Sequence, residues 1–228
     1  MTDYIFPPAE RPSVAVVGTD ARFPVRRIFC VARNYAEHAR EMGMDARELP
    51  FFFTKPADAV VPSGATIPYP PETQNLHHEI ELVVAIGKGG ANIAREAALD
   101  HVFGYAVGLD LTRRDLQFAA RDKGRPWDWG KAFDNSAPCS AIRPVAESGH
   151  PDQARVWLSV DGAIRQDGNT SDMIWPVADV IALISQSMTL AAGDLIYTGT
   201  PAGVGAITPG QVLAGGVDGV GEIALTVA

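Results

Sequence analysis

Three acidic residues lie in or beside two strongly apolar segments of the 228-residue chain. Glu79 and Glu81 are two residues apart in HEIELVVAIG, residues 78–87, and Asp110 ends VFGYAVGLD, residues 102–110. Such apolar runs predict buried strands. Because side chains alternate between the faces of a strand, Glu79 and Glu81 point to one face. If the two strands are neighbours, the three carboxylates converge, and their burial together requires a cation.

The ligand type predicts which cation this would be. A set made only of oxygen ligands favours Mg²⁺, Mn²⁺ or Ca²⁺ over zinc. Three protein ligands leave about three positions of a six-coordinate ion for water or substrate, which is typical of a catalytic metal site. The alternative is a solvent-facing edge strand carrying Glu79 and Glu81, with Asp110 as the N-cap of the following helix. Spacing alone favours this alternative, because E-x-E is a weak motif.

His38 and Glu41 form a second candidate pair. They are three residues apart in a short predicted helix, Tyr35 to Met42, and therefore share one helix face. A carboxylate that accepts a hydrogen bond from one imidazole nitrogen leaves the other nitrogen free as a general base. An ordinary exposed pair has the same spacing, and the spacing by itself favours that simpler interpretation.

Lys131 and two adjacent histidines complete the candidates. Lys131 lies between Trp129 and Phe133, so partial burial is plausible, although a surface lysine is the more common case. His77 and His78 precede the Glu79 strand. Because oxygen ligands dominate this region, we expect the two histidines to shape the approach to the strand rather than to bind a metal.

The elements that must position these residues are mostly strands. The Thr112 to Lys123 helix is predicted to be amphipathic, with Leu116, Ala119 and Ala120 on its apolar side. The predicted strands span 27–32, 50–54, 78–87, 102–109, 155–161, 195–198 and 222–227, and the predicted helices span 93–100, 112–123 and 175–187. Strands outnumber helices and do not alternate regularly with them, which argues against Rossmann and TIM arrangements and favours a mixed α+β roll or barrel.

We expect two regions along the chain. Residues 1–24 are rich in proline and predict an N-terminal arm with one short strand, Ser13 to Val17. Residues 25–228 show no repeat and no clear linker, and predict a single domain. This length is sufficient for a core that needs neither disulfides nor a structural metal.

The composition excludes several classes of partner. The net charge of −8 disfavours non-specific binding to nucleic acid or anionic lipid. No run approaches 18 apolar residues, and the first residues, MTDYIFPPAERP, lack the basic and apolar regions of a secretory signal. The two cysteines, Cys30 and Cys139, form neither a disulfide framework nor a zinc motif. We therefore expect a cytoplasmic protein that does not bind nucleic acid or membranes non-specifically.

Several common enzyme classes lack their sequence motif here. The chain contains no complete G-x-G-x-x-G fingerprint and no Walker A sequence. It also lacks the G-x-S-x-G elbow and H-E-x-x-H, since His78-Glu79 is followed by Leu82 where the second histidine would lie. Dinucleotide-binding, P-loop, α/β-hydrolase and zincin chemistry are therefore disfavoured.

Six segments taken together carry more information than any one of them. In chain order they are RNYAEHAREM (33–42), FTKP (53–56), HHEIEL (77–82), GLDLTRRDLQ (108–117), KAFD (131–134) and YTGTPAGVG (197–205). This ordered series resembles the fumarylacetoacetate hydrolase family, and most closely its short acylpyruvase and fumarylpyruvate hydrolase branch. The resemblance covers about residues 25–228 and favours the functional interpretation of the candidate residues above.

The resemblance implies a fold and a set of roles. The fold would be a mixed β-sandwich roll with short peripheral helices, usually as a homodimer. Mg²⁺ or Mn²⁺ would bind Glu79, Glu81 and Asp110. The catalytic residues would be a water-activating dyad of His38 and Glu41, carried on a lid, and the active-site lysine Lys131. The substrate pocket would be lined by Arg33, Arg114, Gln117 and Thr200.

The resemblance also implies an activity. It predicts a metal-dependent hydrolase that cleaves the carbon–carbon bond of acylpyruvates, with fumarylpyruvate giving fumarate and pyruvate in gentisate-type aromatic catabolism. The first alternative is oxaloacetate decarboxylase or tautomerase chemistry at the same metal site, which does not need His38. The second alternative is a non-catalytic binding protein on the same fold. Arg113, Arg121 and Arg125 are three candidates for binding a distal substrate carboxylate, and the sequence does not choose among them.

Overall fold

Strands dominate the part of the chain that the structure, a computed structural model, describes: residues 3–36 and 49–228. In chain order the strands are β1 (Ser13–Val16), β2 (Thr19–Pro24), β3 (Arg27–Ala32), β4 (Phe51–Lys55), β5 (Val60–Pro62), β6 (Ala65–Ile67), β7 (Leu76–His78), β8 (Ile80–Ile86), β9 (Val102–Leu109), β10 (Thr112–Arg113), β11 (Ala137–Cys139), β12 (Arg143–Pro144), β13 (Arg155–Val160), β14 (Ala163–Asn169), β15 (Asp194–Tyr197), β16 (Gly205–Ile207), β17 (Val212–Val217) and β18 (Gly221–Val227).

The helices are short and peripheral. The α-helices are α1 (Arg114–Arg121), α2 (Asp128–Lys131), α3 (Val145–Ser148) and α4 (Val177–Ser187), and the 3₁₀ helices are Ala57–Ala59, Arg95–His101 and Thr170–Asp172. The predicted helix at 93–100 is thus a 3₁₀ helix that begins two residues later. The prolines of residues 56–75 predict irregular chain with at most one short strand. This prediction is wrong, because both β5 and β6 lie within this segment.

The strands form four sheets. The largest has the order β4-β3-β15-β8-β9-β11-β5, with β12 also paired to β9, and a second has the order β14-β13-β17-β18-β6. A three-stranded sheet has the order β10-β7-β16, and β1 and β2 form a hairpin. Parallel pairs join β3 to β15, β5 to β11 and β6 to β18, whereas the other pairs are antiparallel. This arrangement confirms the mixed β-roll with short peripheral helices.

Strand β8 lies at the centre of the largest sheet and is buried on both faces. Ile80, Leu82 and Val84 belong to one hydrophobic cluster, and Val83 and Ala85 belong to another. A strand covered on both sides has a nearly continuous apolar sequence, as the IELVVAI segment does. The two cores hold β8 in register, and the acidic residues at its beginning are held with it.

The two strands that carry the acidic residues are neighbours. Glu81 lies opposite Gly108 in the antiparallel pair of β8 and β9, and the backbone N–H of Asp110 donates to the Glu79 carbonyl over 2.9 Å. The prediction of one continuous strand from His78 is wrong in detail. Strand β7 ends at His78 and belongs to the three-stranded sheet, so the chain changes sheets at Glu79.

The N-terminal region contains a strand that the sequence analysis missed. Strands β1 and β2 form an antiparallel hairpin in place of the single predicted strand. Val14, Val16 and Phe23 are buried in the same cluster as Val83 of β8. The hairpin therefore packs on the main sheet. The division between an arm at 1–24 and a catalytic domain at 25–228 stays a prediction.

Two further expectations concern cysteines and membranes. Cys30 and Cys139 are both buried and free, which agrees with the expected lack of a disulfide framework. In the described ranges, no helix combines the length and the apolar character that a membrane span requires.

Replacing Gly108 with alanine should destabilise the fold beside Glu81. The new Cβ would lie 2.5 Å from both Tyr197 Cε1 and Val83 Cγ2. Tyr197 cannot move freely, because its hydroxyl donates to two backbone carbonyls of β11. We expect the free energy of unfolding to fall by about 1–3 kcal/mol, the usual cost of overpacking.

Urea denaturation measures this loss. Gly205→Ala is the matched control, because the nearest atom to its Cβ, other than those of its chain neighbours, is 3.4 Å away. We expect the control to stay within about 0.5 kcal/mol of the wild type. Equal stabilities of the two variants would contradict the tight packing between β8, β9 and β15.

Candidate active site

Glu79, Glu81 and Asp110 form a buried acidic triad. Glu79 lies between β7 and β8, Glu81 is the second residue of β8, and Asp110 follows β9. One ligand oxygen from each lies within 4.8 Å of the others. The structure therefore brings the three predicted metal ligands together. The alternative of an exposed edge strand with Asp110 as an N-cap is wrong, since the side chains are buried and Arg113 precedes the first residue of α1.

Three cationic side chains contact two of these carboxylates. Lys131 Nζ donates to Glu79 Oε2 over 2.7 Å and to Asp110 Oδ2 over 2.6 Å. Arg114 donates to Glu79 Oε1. Lys55 Nζ lies 2.8 Å from Asp110 Oδ1, but not in hydrogen-bond alignment. Lys131 is thus a buried site residue rather than a surface lysine.

Glu81 differs from the other two carboxylates in its partners. Its Oε2 accepts a hydrogen bond from the backbone N–H of Gly199 over 2.8 Å. Within residues 3–36 and 49–228, Glu81 forms no ion pair at all. Burial raises its pKa well above the ordinary value, and the charges of Asp110 and Glu79 raise it further. A buried carboxylate without a cationic partner, facing two more carboxylates, fits a site for a hard divalent cation.

Lys131 is held in its charged form. Burial alone lowers the pKa of the ammonium group, but Asp110 and Glu79 outweigh this effect and raise the pKa. Its Nζ also lies 5.0 Å from the centre of the Phe53 ring. Lys131 therefore offers a fixed positive charge in a place from which water is largely excluded.

Helix α1 presents a polar face to the site. Arg114 and Gln117 are its buried residues, and Arg114 Nη1 donates to Gln117 Oε1 over 2.6 Å. The predicted packing of Leu116, Ala119 and Ala120 is wrong, because Ala119 is exposed and the other two are only partly buried. The polar residues of α1 therefore determine which face of the helix points inward, because that face contacts the charged acidic cluster.

The start of α1 is fixed by a carboxylate. Asp115 accepts hydrogen bonds from the Thr73 hydroxyl over 2.6 Å and from the Gln74 backbone over 2.9 Å. An acidic residue in the first turn also suits the helix dipole. These contacts join α1 to the chain that leads into β7, which places Arg114 beside Glu79.

Thr200 is held by a glutamine that the sequence analysis missed. Its hydroxyl donates to the Ile80 carbonyl over 2.8 Å and accepts from Gln166 Nε2 over 2.7 Å. Gln166 Oε1 accepts from the Ile80 backbone over 3.1 Å and lies 3.0 Å from His78 Nδ1. A single glutamine in a hairpin strand carries no sequence signal of such a role.

The two histidines do not belong to the acidic cluster. His78 is buried against Gln166, and His77 contacts Asn75 and Arg114. Burial, followed by the nearby Arg114 charge, lowers the pKa of His77 to about 4. Among the described residues, the set that can hold a metal consists of the three carboxylates. The placement agrees with the expectation that the histidines shape the approach.

One pocket collects the predicted site residues. Its lining includes the triad, Lys131 and all four predicted substrate residues, Arg33, Arg114, Gln117 and Thr200. Three aromatic side chains, Phe53, Phe118 and Trp127, also line the pocket. Lys55 was also missed as a site residue, although it lies in the FTKP segment.

His38 and Glu41 lie outside the described residues, so their dyad stays a prediction. The described chain on each side of segment 37–48 reaches this pocket. Before the segment, Arg33 lines the pocket with a left-handed backbone, φ 63°. After it, the Phe51 ring lies 4.9 Å from the ring of Trp127, which also lines the pocket.

Comparison with known proteins identifies similar chains. The family model described as fumarylacetoacetate (FAA) hydrolase C-terminal matches residues 27–228. A fumarylpyruvate hydrolase of Ralstonia is 49% identical over 180 residues, which are 79% of this chain and 93% of that protein. The human mitochondrial oxaloacetate tautomerase FAHD1 is 43% identical over 195 residues, which are 86% of this chain and 88% of that protein.

A solved structure extends the similarity to the whole fold. The crystal structure of fumarylpyruvate hydrolase from Pseudomonas aeruginosa, in complex with Mn²⁺ and pyruvate, superimposes with a TM-score of 0.97. It is 52% identical in sequence and the match covers 99% of each chain. The architecture described above is therefore that of an experimentally determined relative.

Replacing Glu81 with glutamine should stabilise the metal-free protein at neutral and alkaline pH. The pKa of Glu81 is higher in the folded protein than in the unfolded chain, so protonation of this group favours folding. That stability is lost as the pH rises from the unfolded value of about 4.3 through the folded pKa. A neutral glutamine avoids the loss. In EDTA we expect a higher melting temperature for Glu81→Gln than for the wild type at pH 8, and a smaller difference at pH 5, by calorimetry.

The same variant should respond less to metal. Mn²⁺ at 100 times its Kd would stabilise the wild type by about 2.7 kcal/mol, and Glu81→Gln by much less. Glu222→Gln, at an exposed position, is the matched control and should behave like the wild type. A Glu81→Gln protein that melts below the wild type at pH 8 in EDTA would contradict the proposed repulsion.

Proposed function

The chain belongs to the fumarylacetoacetate hydrolase family, and from this premise we propose that it is a metal-dependent hydrolase of acylpyruvates, with fumarylpyruvate cleaved to fumarate and pyruvate. One observation carries the proposal. The buried triad, the charged Lys131 and the polar face of α1 line a single pocket. This combination suits a small 2-oxo acid, which has several oxygens close together at one end.

The triad defines the inner end of the pocket. Glu79, Glu81 and Asp110 would hold a divalent ion, which when bound supplies Lewis acid stabilisation of negative charge on the substrate oxygens. Arg114 and Gln117 would orient the substrate carboxylate from the helix side. Thr200, whose hydroxyl is fixed by Gln166, would also contact it.

The dyad would activate the nucleophile. We assign His38 as the base that takes a proton from water, with Glu41 as the partner that orients its ring. The water oxygen adds to the carbonyl carbon that is separated from the keto acid by one methylene group. The bond from this carbonyl carbon to the methylene carbon then breaks, its electron pair passes to the keto acid portion as an enolate, and a proton taken up at the methylene carbon completes pyruvate.

Lys131 would stabilise the enolate. Negative charge develops on the pyruvate portion as the carbon–carbon bond breaks, and a fixed cation in a site of low dielectric constant lowers the free energy of that state. The two carboxylates that hold Nζ also keep the group charged. Lys131 therefore acts by its position and charge and does not itself need to transfer a proton.

A second candidate activity rests on the relatives. Oxaloacetate tautomerases from several eukaryotes and an oxaloacetate decarboxylase from Dictyostelium discoideum share 42–45% identity with this chain. Both reactions pass through an enolate of a 2-oxo acid, which the same triad and lysine would stabilise. Neither reaction consumes a water molecule, so neither requires His38 to activate one. Decarboxylation forms the enolate as CO₂ leaves and needs no base, whereas tautomerisation needs a group that accepts the C3 proton of oxaloacetate.

Four finer expectations accompany this proposal. We propose Mg²⁺ as the physiological ion, with Mn²⁺ as a substitute, since the oxygen ligands suit both. The family resemblance implies a homodimer and a place in gentisate-type aromatic catabolism, and the composition predicts a cytoplasmic location. Analytical ultracentrifugation tests the dimer, and metal analysis of the purified protein tests the ion.

The wild type and His38→Ala should separate the two activities. We expect the wild type with Mg²⁺ to remove the ultraviolet absorbance of fumarylpyruvate and acetylpyruvate, and EDTA to abolish this. His38→Ala should lose about 10²- to 10⁴-fold in rate, the usual contribution of a general base. Oxaloacetate decarboxylation, followed by pyruvate release, should survive the substitution. If the diketo acids are untouched while oxaloacetate reacts, the second candidate is the correct one; if nothing reacts, the chain is a binding protein.

Lys131→Met should lower kcat while metal binding persists. Loss of one fixed charge-stabilising group typically costs about 10²- to 10³-fold in kcat. We expect this loss on acetylpyruvate in the metal-loaded enzyme, together with a Mn²⁺-dependent rise in melting temperature. Lys88→Met, at an exposed position, is the control and should leave kcat unchanged. A kcat for Lys131→Met within threefold of the wild type would remove Lys131 from the mechanism.

A further inference from the structure

One face of helix α1 runs from the triad to the mouth of the pocket. Arg114, Gln117, Phe118 and Arg121 all line the pocket, and their spacing of three, four and seven residues places them on one helix face. Arg114 is buried and contacts Glu79, whereas the side chain of Arg121 is 36% exposed. The pocket thus has one arginine at its inner end and another at its outer end, on the same rigid element.

An aromatic ring lies between these two arginines. The Arg114 guanidinium carbon is 5.8 Å from the centre of the Phe118 ring, and that of Arg121 is 4.4 Å from it. Helix side chains tilt toward the N-terminus, so Arg121 reaches back over Phe118 toward the triad. The stacking restricts the guanidinium to the pocket side of α1.

We propose that Arg121 binds the distal carboxylate of a dicarboxylic diketo acid and selects such substrates over those with an uncharged acyl group. This inference rests on the proposed function and names the substrate class within it. The distal carboxylate would lie at the outer end of the pocket, where a bidentate pair with a guanidinium is favourable. Phe118 would pack against the unsaturated carbon chain between the two carboxylates.

The dimensions of such a substrate match the helix. Seven residues of α-helix separate the Arg114 and Arg121 Cα atoms by about 10 Å along the axis. Six carbon–carbon bonds join the two carboxylate carbons of fumarylpyruvate, which corresponds to about 7 Å in an extended chain, with the oxygens beyond. Oxaloacetate has only three such bonds, or about 4 Å, and is too short to engage both ends.

Arg121 pairs with Asp122 in the structure, and this pair would compete only weakly with a substrate carboxylate. Arg121 donates to the carboxylate of its neighbour Asp122 over 3.0 Å, and that side chain is 65% exposed. Exposed ion pairs of this kind contribute little to stability. A substrate carboxylate in the half-buried pocket can therefore replace or share this contact at small cost.

The two other arginines considered from the sequence are less suitable. Arg113 is buried, and its guanidinium carbon lies 4.4 Å from the centre of the Phe133 ring, which does not line the pocket. Arg125 is exposed beyond the end of α1 and does not line the pocket. Arg121 is the one of the three that the fold directs to the substrate.

Steady-state kinetics of Arg121→Gln on two substrates tests the proposal. With fumarylpyruvate we expect KM to rise by about tenfold to a hundredfold, the equivalent of one charge-assisted hydrogen bond. With acetylpyruvate, which ends in a methyl group, we expect a change of less than twofold in both KM and kcat. Arg121→Lys should recover part of the affinity for fumarylpyruvate, and the inhibition constant of fumarate should rise in parallel with KM.

Arg125→Gln is the matched control and should leave both substrates unaffected. An equal loss on both diketo acids, or no loss on fumarylpyruvate, would overturn the role of Arg121 while leaving the proposed hydrolase intact. If the wild type cleaves neither diketo acid, the proposed function fails and this inference fails with it. Melting temperatures of the variants identify any loss that comes from unfolding.

Discussion

The mutual repulsion of three buried carboxylates is the constraint on which the rest of this structure depends. Glu79, Glu81 and Asp110 are brought within ligand distance by the pairing of β8 with β9, and this sheet is fixed by two hydrophobic cores. Hydrophobic burial thus supplies the free energy that holds like charges together. The positively charged side chains around the triad then offset part of the free-energy cost of this repulsion.

The positive charges are distributed unequally among the three carboxylates, and this difference bears on metal binding. Lys131 joins Glu79 to Asp110, and further cations reach both of these residues, while Glu81 has a backbone hydrogen bond as its contact. The cations come from β4, α1 and α2, so three separate elements must converge for the site to exist. A site balanced completely by its own side chains would gain little from a metal. A divalent ion bound beside Glu81 would relieve the repulsion that remains there, and this favours its binding.

Local patterns predicted much of this site, and long-range packing decided the rest. The period of a strand correctly placed Glu81 relative to the apolar residues of β8, and the structure brings together the three carboxylates that were predicted as metal ligands. The break at Glu79 was missed, because the change of sheet depends on partners that are distant in sequence. Lys55 and Gln166 were missed for the same reason. Lys55 ends an apolar strand and Gln166 is the buried residue of a mostly exposed strand, and a single buried polar residue gives no periodic signal.

Helix α1 shows how such errors arise and what they reveal. Its apolar residues predicted a side packed on a core, yet Arg114 and Gln117 are the buried ones. Buried polar residues on a helix require polar partners, and here the partner is the acidic cluster. The helix is therefore placed by the site rather than by the core. Because Arg121 lies on the same face, a single rigid element sets the distance between the inner and outer ends of the pocket. With Arg121 in its proposed role, substitutions at the outer end of this helix would change which acyl group is accepted, without any change in the inner chemistry.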